Sequence, residues 1–328
     1  MLRSFQYTEK SYLKYSMQSS LFQMKELDIA RKFVASHPCK HDMEQACPVC
    51  RKKTGKYFFT KWDVDYLRCE KCNSIYAVCE EDTVESYLKH QPLLSLRLSK
   101  EYQEQITNSR MLVWKEFLEW LEVRAYRFLG RNRKLNIIDI GNRFSGLATM
   151  IKASPISQKY DCREFIHQTG VNCKSNEKAD IIFYNDAIKT ELHPVVQLKN
   201  IKKWMKEDGI LIIGARAGSG FDIITLKENN KRIYPYEHVF LPSVRGMLKI
   251  LQDSGFDVLE ITTPGVMDVK YVMEDLEWLE DREEFVKYLL KENNEAILQE
   301  FQRFLQKSCM SSFIRVIARK ARHKNAAI

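Results

Sequence analysis

Two hydrophobic rhythms alternate along this chain, and their order predicts its architecture. Leu21, Met24, Leu27, Phe33 and Val34 recur at helical spacing between Leu21 and Ala35, and His37-Pro38 stops that run. A longer helical stretch spans Lys100 to Leu129, with Val113, Phe117, Leu118, Leu121, Ala125 and Phe128 on its apolar side and Gly130 as its stop. From Asn136 the period changes. Ile137-Ile138-Asp139-Ile140, Ala179 to Tyr184 and Gly209 to Ala215 are short, nearly continuous apolar runs, as expected of strands buried on both faces. A helical segment through Val195, Leu198, Ile201, Trp204 and Met205 separates the last two. Ser243 to Ser254 predicts another helix closed by Gly255. Phe256 to Thr262 predicts a strand ended by Pro264-Gly265, Asp275 to Gln306 a strongly helical stretch, and Phe313 to Ala318 a final strand. Strands alternating with helices predict an α/β fold: a doubly wound, mostly parallel sheet covered on both faces.

The changes of pattern divide the chain into an N-terminal helical segment (1–38), a cysteine module (39–82), a helical connector (83–130) and an α/β domain (131–328) with a helical insert at 275–306. The connector helix is expected to pack against the domain that follows it. The insert carries Phe285, Leu289, Leu290, Ile297, Leu298, Phe301 and Leu305, which need a partner face. A lid over the domain or a homodimer through the insert would supply it.

Composition narrows the class. The 328 residues are 45% apolar and 29% charged, a globular balance. Runs such as Gly209 to Ile213 are too short to span a bilayer, and Met1 to Ser20 is polar with no apolar leader core, so a cytoplasmic protein without a membrane span is expected. The formal net charge of +9, with basic clusters at Arg51-Lys52-Lys53, around Lys199 to Lys203 and from Arg315 to Lys324, favours anionic partners such as nucleic acid or nucleotide-linked substrates. No single run is long enough to dominate binding, and a solvated lysine-rich surface is the plainer reading.

The nine cysteines carry the sharpest chemistry. Cys47-Pro48-Val49-Cys50 and Cys69-Glu70-Lys71-Cys72 are two C-x2-C knuckles separated by eighteen residues. Each knuckle turns tightly enough to aim two thiolates at one ion, and zinc takes four such ligands at tetrahedral angles. Tyr57, Phe58, Phe59 and Tyr66 suit a hairpin between the knuckles and read as its small core. With Arg51, Lys52 and Lys53 they also fit a nucleic-acid surface. Four thiolates close the coordination shell, so this zinc is structural. His37, Cys39 and His41 lie upstream at irregular spacing and are not assigned to a second ion. The remaining cysteines read as reduced thiols.

Asp139-Ile140-Gly141-Asn142-Arg143-Phe144-Ser145-Gly146 occupies a predicted strand-to-helix turn, where doubly wound sheets bind ligands. Gly141 and Gly146 have P-loop spacing, but Leu147-Ala148 stands where Lys-Ser/Thr is needed, which excludes that motif. The loop instead resembles the acidic-x-Gly-x-Gly-x-Gly loop of class I S-adenosylmethionine-dependent methyltransferases. Asp139 and Gly141 match, Arg143 and Ser145 take the second and third glycine positions, and Gly146 comes one residue late. Lys206 to Ile213 is similar to the family's K-x-G-G-x-L entry to a strand, and a final pair of strands follows. A narrower group, encoded near sugar and surface-glycan genes, carries an N-terminal zinc ribbon with Gly-Phe-Asp, Pro-x-x-His and T-P-G-x-x-D-V segments. Here these read Gly220-Phe221-Asp222, Pro235-Tyr236-Glu237-His238 and Thr263-Pro264-Gly265-Val266-Met267-Asp268-Val269.

The resemblance covers about Cys47 to Lys320. It implies a methyltransferase-like sheet, S-adenosylmethionine as cofactor beside the structural zinc, and methyl transfer to a small acceptor such as a nucleotide-sugar or glycan precursor. It places the cofactor at Asp139, Gly141, Asn142 and Gly146, with Glu164 on the ribose hydroxyls, Asp161 as the second choice, and Asp186 or Asp180 at the next strand. From Gly141 to Lys178 the chain has 38 residues, whereas a full helix–strand–helix–strand–helix passage needs roughly 50. At least one helix is therefore missing or reduced to a turn. His238 is the expected catalytic base, because imidazole titrates near neutral pH, with Tyr236 and Glu237 as catalytic neighbours. Tyr234 and Asp222 are further neighbours, and His193 is a second choice of base. Two alternatives remain: a methyltransferase-like binding or scaffold protein without activity, and an RNA methyltransferase.

Overall fold

The computed structural model describes residues 2–3, 15, 19–39, 44–131, 133–141, 146–163, 177–279 and 281–322. After a two-residue strand β1 (Leu2–Arg3), helix α1 (Ser20–Ser36) buries Ala30 and Val34. Strands β2 (Gly55–Lys61), β3 (Val64–Cys69) and β4 (Ile75–Ala77) form an antiparallel meander, and helices α2 (Glu81–His90) and α3 (Leu94–Leu98) lead into the long α4 (Lys100–Leu129). Ser99 caps α4 by accepting a hydrogen bond from the Tyr102 amide at 3.4 Å, and Gly130, with φ 94°, ends it.

The second half alternates β5 (Leu135–Ile140), α5 (Gly146–Ala153), β6 (Ser157–Arg163), β7 (Ala179–Asn185), α6 (Pro194–Lys202), β8 (Met205–Arg216) and α7 (Phe221–Leu226). Then come β9 (Phe240–Leu241), α8 (Val244–Asp253), β10 (Phe256–Thr262), α9 (Asp268–Glu274), α10 (Glu284–Glu292), α11 (Glu295–Lys307) and β11 (Phe313–Lys320). The main sheet runs β1-β10-β11-β8-β7-β5-β6, and β11 alone is antiparallel to its neighbours. The protein is thus the α/β fold with a mostly parallel sheet that the hydrophobic rhythm predicts. Its central strands are buried along nearly their whole length, which is why they read as unbroken apolar runs. The edge strand β6 is half exposed, and its polar sequence concealed it. The 275–306 stretch is not one helix. Asn294 accepts a hydrogen bond from the Ile297 amide and starts α11 afresh. Leu290, Leu298 and Leu305 pack with Phe221, Val269 and Val272 of α7 and α9, so part of the insert's apolar face is covered by its own chain. Phe285, Tyr288 and Phe304 remain exposed.

One core runs through both sheets. Residues of the cysteine module, including Val49, Phe59 and Tyr66, belong to the same cluster as Ile138, Ile182 and Leu211 of the main sheet. β9, which lies in the segment between α7 and α8, adds a fourth strand to the meander by pairing with β4. On the opposite side α4 lays Trp120, Leu121, Ala125 and Leu129 against Ile137, Phe183 and Ile212.

A buried ionic network ties the N-terminal helices to the sheet. Glu237 accepts from Tyr87 Oη (2.8 Å), Arg97 Nη1 (3.0 Å) and Lys189 Nζ (2.7 Å), while Arg97 Nε reaches Glu26 of α1 at 2.7 Å. Burial alone would raise the Glu237 carboxyl, but Arg97 and Lys189 outweigh it and hold the group well below its ordinary range. Replacing Arg97 by Met leaves Glu26 and Glu237 with less compensation in a dry setting. Chemical denaturation should read a loss of about 3 kcal/mol. Glu191 behaves oppositely. Burial pushes its carboxyl up to about 8 from 4.5, and its one hydrogen bond among the described residues comes from Tyr184 Oη at 3.1 Å. The folded chain therefore holds a proton there that the unfolded chain releases, so stability falls as pH rises from about 4.5 to about 8. Glu191→Gln should flatten that slope in thermal melts and stabilise the protein most at the alkaline end.

Candidate metal centre and candidate active site

The cysteine module builds a four-sulfur cage by repeating one turn. The amide of Arg51 donates to Cys47 O and that of Asn73 to Cys69 O, both at 2.8 Å. Arg51 and Asn73, each immediately after the second cysteine of its knuckle, take left-handed φ values of 55° and 59°. The Sγ atoms of Cys47, Cys50, Cys69 and Cys72 all lie within 4.8 Å of one another. Cys47 and Cys72 are 3.6 Å apart and Cys50 and Cys69 3.4 Å. Sulfurs bonded to one tetrahedral zinc at ~2.3 Å stand about 3.8 Å apart, so the cage fits that ion. Phe59 and Tyr66 stack at 4.7 Å beneath it and are buried, which makes them core residues. The cage is clamped to the main domain by Ser243, whose hydroxyl donates to Cys72 O and accepts from the Gly246 amide that starts α8. A side chain at Gly246 would strike Ser74 Oγ at 2.1 Å, so this position must stay small for α8 to approach the ribbon.

The second site is a cavity of about 400 Å³ at the carboxyl ends of β7 and β8, large enough for a small ligand. The chain passes from β5 to β6 on one side and returns to β7 on the other, so the sheet's switch point lies beside β5 and β7. Asn185 and Asp186 leave β7 into the cavity wall, and Gly214 and Arg216 leave β8 into it. Asp186 is held in a left-handed turn (φ 58°) by its amide's bond to Gly214 O at 2.7 Å, and Lys189 pairs with its carboxylate. Trp114 and Phe117 of α4 form an opposing wall. The Gly265–Asp268 turn after β10 forms another. Asp268 accepts from Ser311 Oγ (2.7 Å), Gln302 Nε2 (2.8 Å) and the Ser312 amide, and its carboxyl is raised first by burial and then by Asp222. Tyr271 lines the same wall. Burial would raise its phenol, but Arg110, Arg232 and Arg216 outweigh that and hold it below its ordinary value.

The expected site residues separate. Asp186 lines the cavity. Gly141, with φ 98° at the end of β5, and Gly146, which starts α5 under the Trp114 ring, lie nearby; a Cβ on Gly146 would come within 2.6 Å of that ring. Asp139 is fully buried and its carboxylate accepts from Tyr160 Oη. Asp161 pairs with Arg163 at 2.8 Å. Asp180 sits at the opposite, amino end of β7, held by Arg133 and Lys206. Asn142 and Glu164 lie outside the described residues.

Tyr236, Glu237 and His238 do not line the cavity. Tyr236 donates to His37 O at 2.6 Å, and Glu237 is the hub of the ionic network. His238 is 4% exposed and accepts at Nδ1 from the Tyr234 amide at 3.1 Å; burial and Lys189 push its imidazole down to about 3, too low for an effective base at neutral pH. His193 is exposed beside Glu81 on α2. The sequence reading missed Arg110, Arg216 and Tyr271. Arg216 carried a usable signal: a cation directly after a buried parallel strand stands where such sheets bind ligands. Two of the three quoted segments converge on this region. Asp222 contacts Arg216 at 3.5 Å, and Asp268 lies on the wall itself.

No protein-family model matches the chain, and no curated protein sequence matches it. Among solved structures, the chain is similar to the plantazolicin methyltransferase BamL in complex with a triazolic desmethylPZN analog and SAH, at 14% identity, covering 73% of this chain and 94% of that one with a TM-score of 0.42. Coclaurine N-methyltransferase bound to N-methylheliamine and SAH matches at 10% identity over 94% of this chain and 91% of its own, TM-score 0.36. An S-adenosylmethionine-dependent methyltransferase from Mesorhizobium loti matches at 14% identity over 62% and 98%, TM-score 0.36.

Because the ribbon shares the main core, loss of a metal from the cage should not melt the ribbon alone. Metal analysis of the purified chain should find about one zinc per chain. Chelation or Cys72→Ala should lower the single thermal transition of the whole protein and speed hydrogen exchange in α8 as well as in β2 and β3.

Proposed function

We propose that the chain is an S-adenosylmethionine-dependent methyltransferase whose acceptor is a small molecule bound in the cavity between α4, the ends of β7 and β8, and the Gly265–Tyr271 turn. The observation that carries this reading is the cavity's position beside the switch point of the sheet, with Asp186 on its wall. The cofactor fits the residues present: Gly141 keeps the β5 turn open, and the Asp186 carboxylate offers an acceptor for cofactor hydroxyl or ammonium groups. Asp139 supports the turn through Tyr160. When bound, S-adenosylmethionine supplies a methyl group on a sulfonium, open to in-line displacement. The chain's own contribution is alignment and exclusion of water. Trp114, Phe117 and Phe313 would press an acceptor toward the strand ends, and Tyr271 is the cavity group best disposed to take or share an acceptor proton. Cys47, Cys50, Cys69 and Cys72 hold zinc apart from this chemistry.

A second reading, a protein of this fold that binds a ligand without transferring a methyl group, is favoured by one observation. The carboxylates of Asp139 and Asp161 are already engaged by Tyr160 and Arg163 of their own chain. Calorimetric titration of the zinc-loaded protein with S-adenosylmethionine and S-adenosylhomocysteine separates the two. Micromolar binding, weakened about tenfold by Asp186→Ala, is expected for the enzyme. An absence of heat up to millimolar ligand, from folded protein, leaves the binding protein.

A further inference from the structure

The charged groups of the cavity are not balanced. Its two acidic walls are already satisfied: Lys189 pairs with Asp186, and three donors from Ser311, Gln302 and Ser312 converge on Asp268. Two of its arginines, Arg110 and Arg216, are less fully paired. Among the described residues Arg110 has no carboxylate within ion-pair distance, and its neighbour is the Tyr271 hydroxyl. Among the described residues the Arg216 side chain makes one hydrogen bond, a long one of 3.5 Å to Asp222, and it is 21% exposed. Each guanidinium has five donors in a fixed fork, and burying those donors without acceptors costs free energy. The positive potential is felt on the wall itself, where the Tyr271 phenol is loosened by three arginines at once. Around these cations the surface is flat and apolar, from Trp114, Phe117, Phe183 and Phe313.

We infer that the cavity takes an acceptor with a carboxylate or phosphate group on a flat, largely apolar body, the anion being held by the forks of Arg110 and Arg216. Bidentate charge-assisted hydrogen bonds would complete both guanidiniums and orient the acceptor, while the aromatic walls cover its body. This rests on the proposed function for the word acceptor, but the anion site itself does not.

The test uses the zinc-loaded full chain and four probes in two pairs: 4-hydroxybenzoate with 4-hydroxybenzamide, and phenyl phosphate with phenol. Each is titrated with and without saturating S-adenosylhomocysteine. At least one anion should bind saturably, about tenfold or more tighter than its neutral partner, and added salt should weaken it. The pair that discriminates identifies carboxylate or phosphate. Arg110→Met and Arg216→Met should each erase the discrimination while leaving S-adenosylhomocysteine affinity unchanged. Should either variant fold poorly, Arg216→Lys and Arg110→Lys keep the charge, lose the fork, and should retain part of the preference. Equal affinity within both pairs, or no saturable binding by either anion, overturns the inference. So does a parallel loss of S-adenosylhomocysteine affinity in the arginine variants, which assigns the forks to the cofactor's carboxylate. Anion binding by a chain that ignores S-adenosylhomocysteine defeats the methyltransferase reading and leaves the anion site standing.

Discussion

A single buried carboxylate, that of Glu237, holds the parts of this protein in register. It stands where α2, α3, the segment before β9 and the turn after β7 meet, and each contributes a hydrogen bond or a charge to it. A carboxylate can be kept charged in such a place only if cations outweigh its desolvation, and Arg97 and Lys189 do so. The same Lys189 reaches Asp186 at the cavity wall. The position of one cavity residue is therefore set by a network that extends to Glu26 of α1, far outside the α/β sheet. Removing the N-terminal helices would leave that network without half its cations.

The four-cysteine cage plays a comparable part on the other face. Ser243 and Gly246 bring α8 against it, and β9 adds itself to the ribbon's sheet. A metal held there would brace a packed wall of the main domain, with which the ribbon is continuous. A closed four-thiolate shell suits this task, since it offers rigidity and no vacant position for chemistry.

Much of the framework was legible in the sequence because it rests on local periods. The α4 run with its glycine stop, the buried runs of β5, β7 and β8, and the two knuckles are all properties of neighbouring residues. β6 was not legible, since an edge strand with half its side chains in water shows no apolar run. β9 is two residues long and exists only through its partner β4. The site was legible in part. Asp186 followed from its place after a strand, and the Gly220–Asp222 and Thr263–Val269 segments pointed to the right region. His238 drew attention as a loop histidine among prolines and tyrosines. Nothing in that loop's composition reveals that it folds inward, because burial there depends on partners distant in sequence, Arg97 at 140 residues among them. Arg110 and Tyr271 sit on helices whose faces become a cavity only after packing.

The pairing of β4 with β9 also dictates an order of assembly. The two knuckles and the β2–β3 hairpin are complete once Cys72 has been made, and a cage of four thiolates can then take up its ion on a growing chain. The strand that finishes the sheet comes much later in the chain, and the serine that clasps the cage lies 171 residues after Cys72. The exposed edge of β4 must wait through the synthesis of almost the entire parallel sheet, an interval in which an unpaired strand invites wrong partners. Metal capture early in that interval would keep the nascent ribbon folded and its apolar underside ordered until the late strand arrives. In the cell, zinc supply would then govern the yield of properly assembled chains more than the performance of those already made.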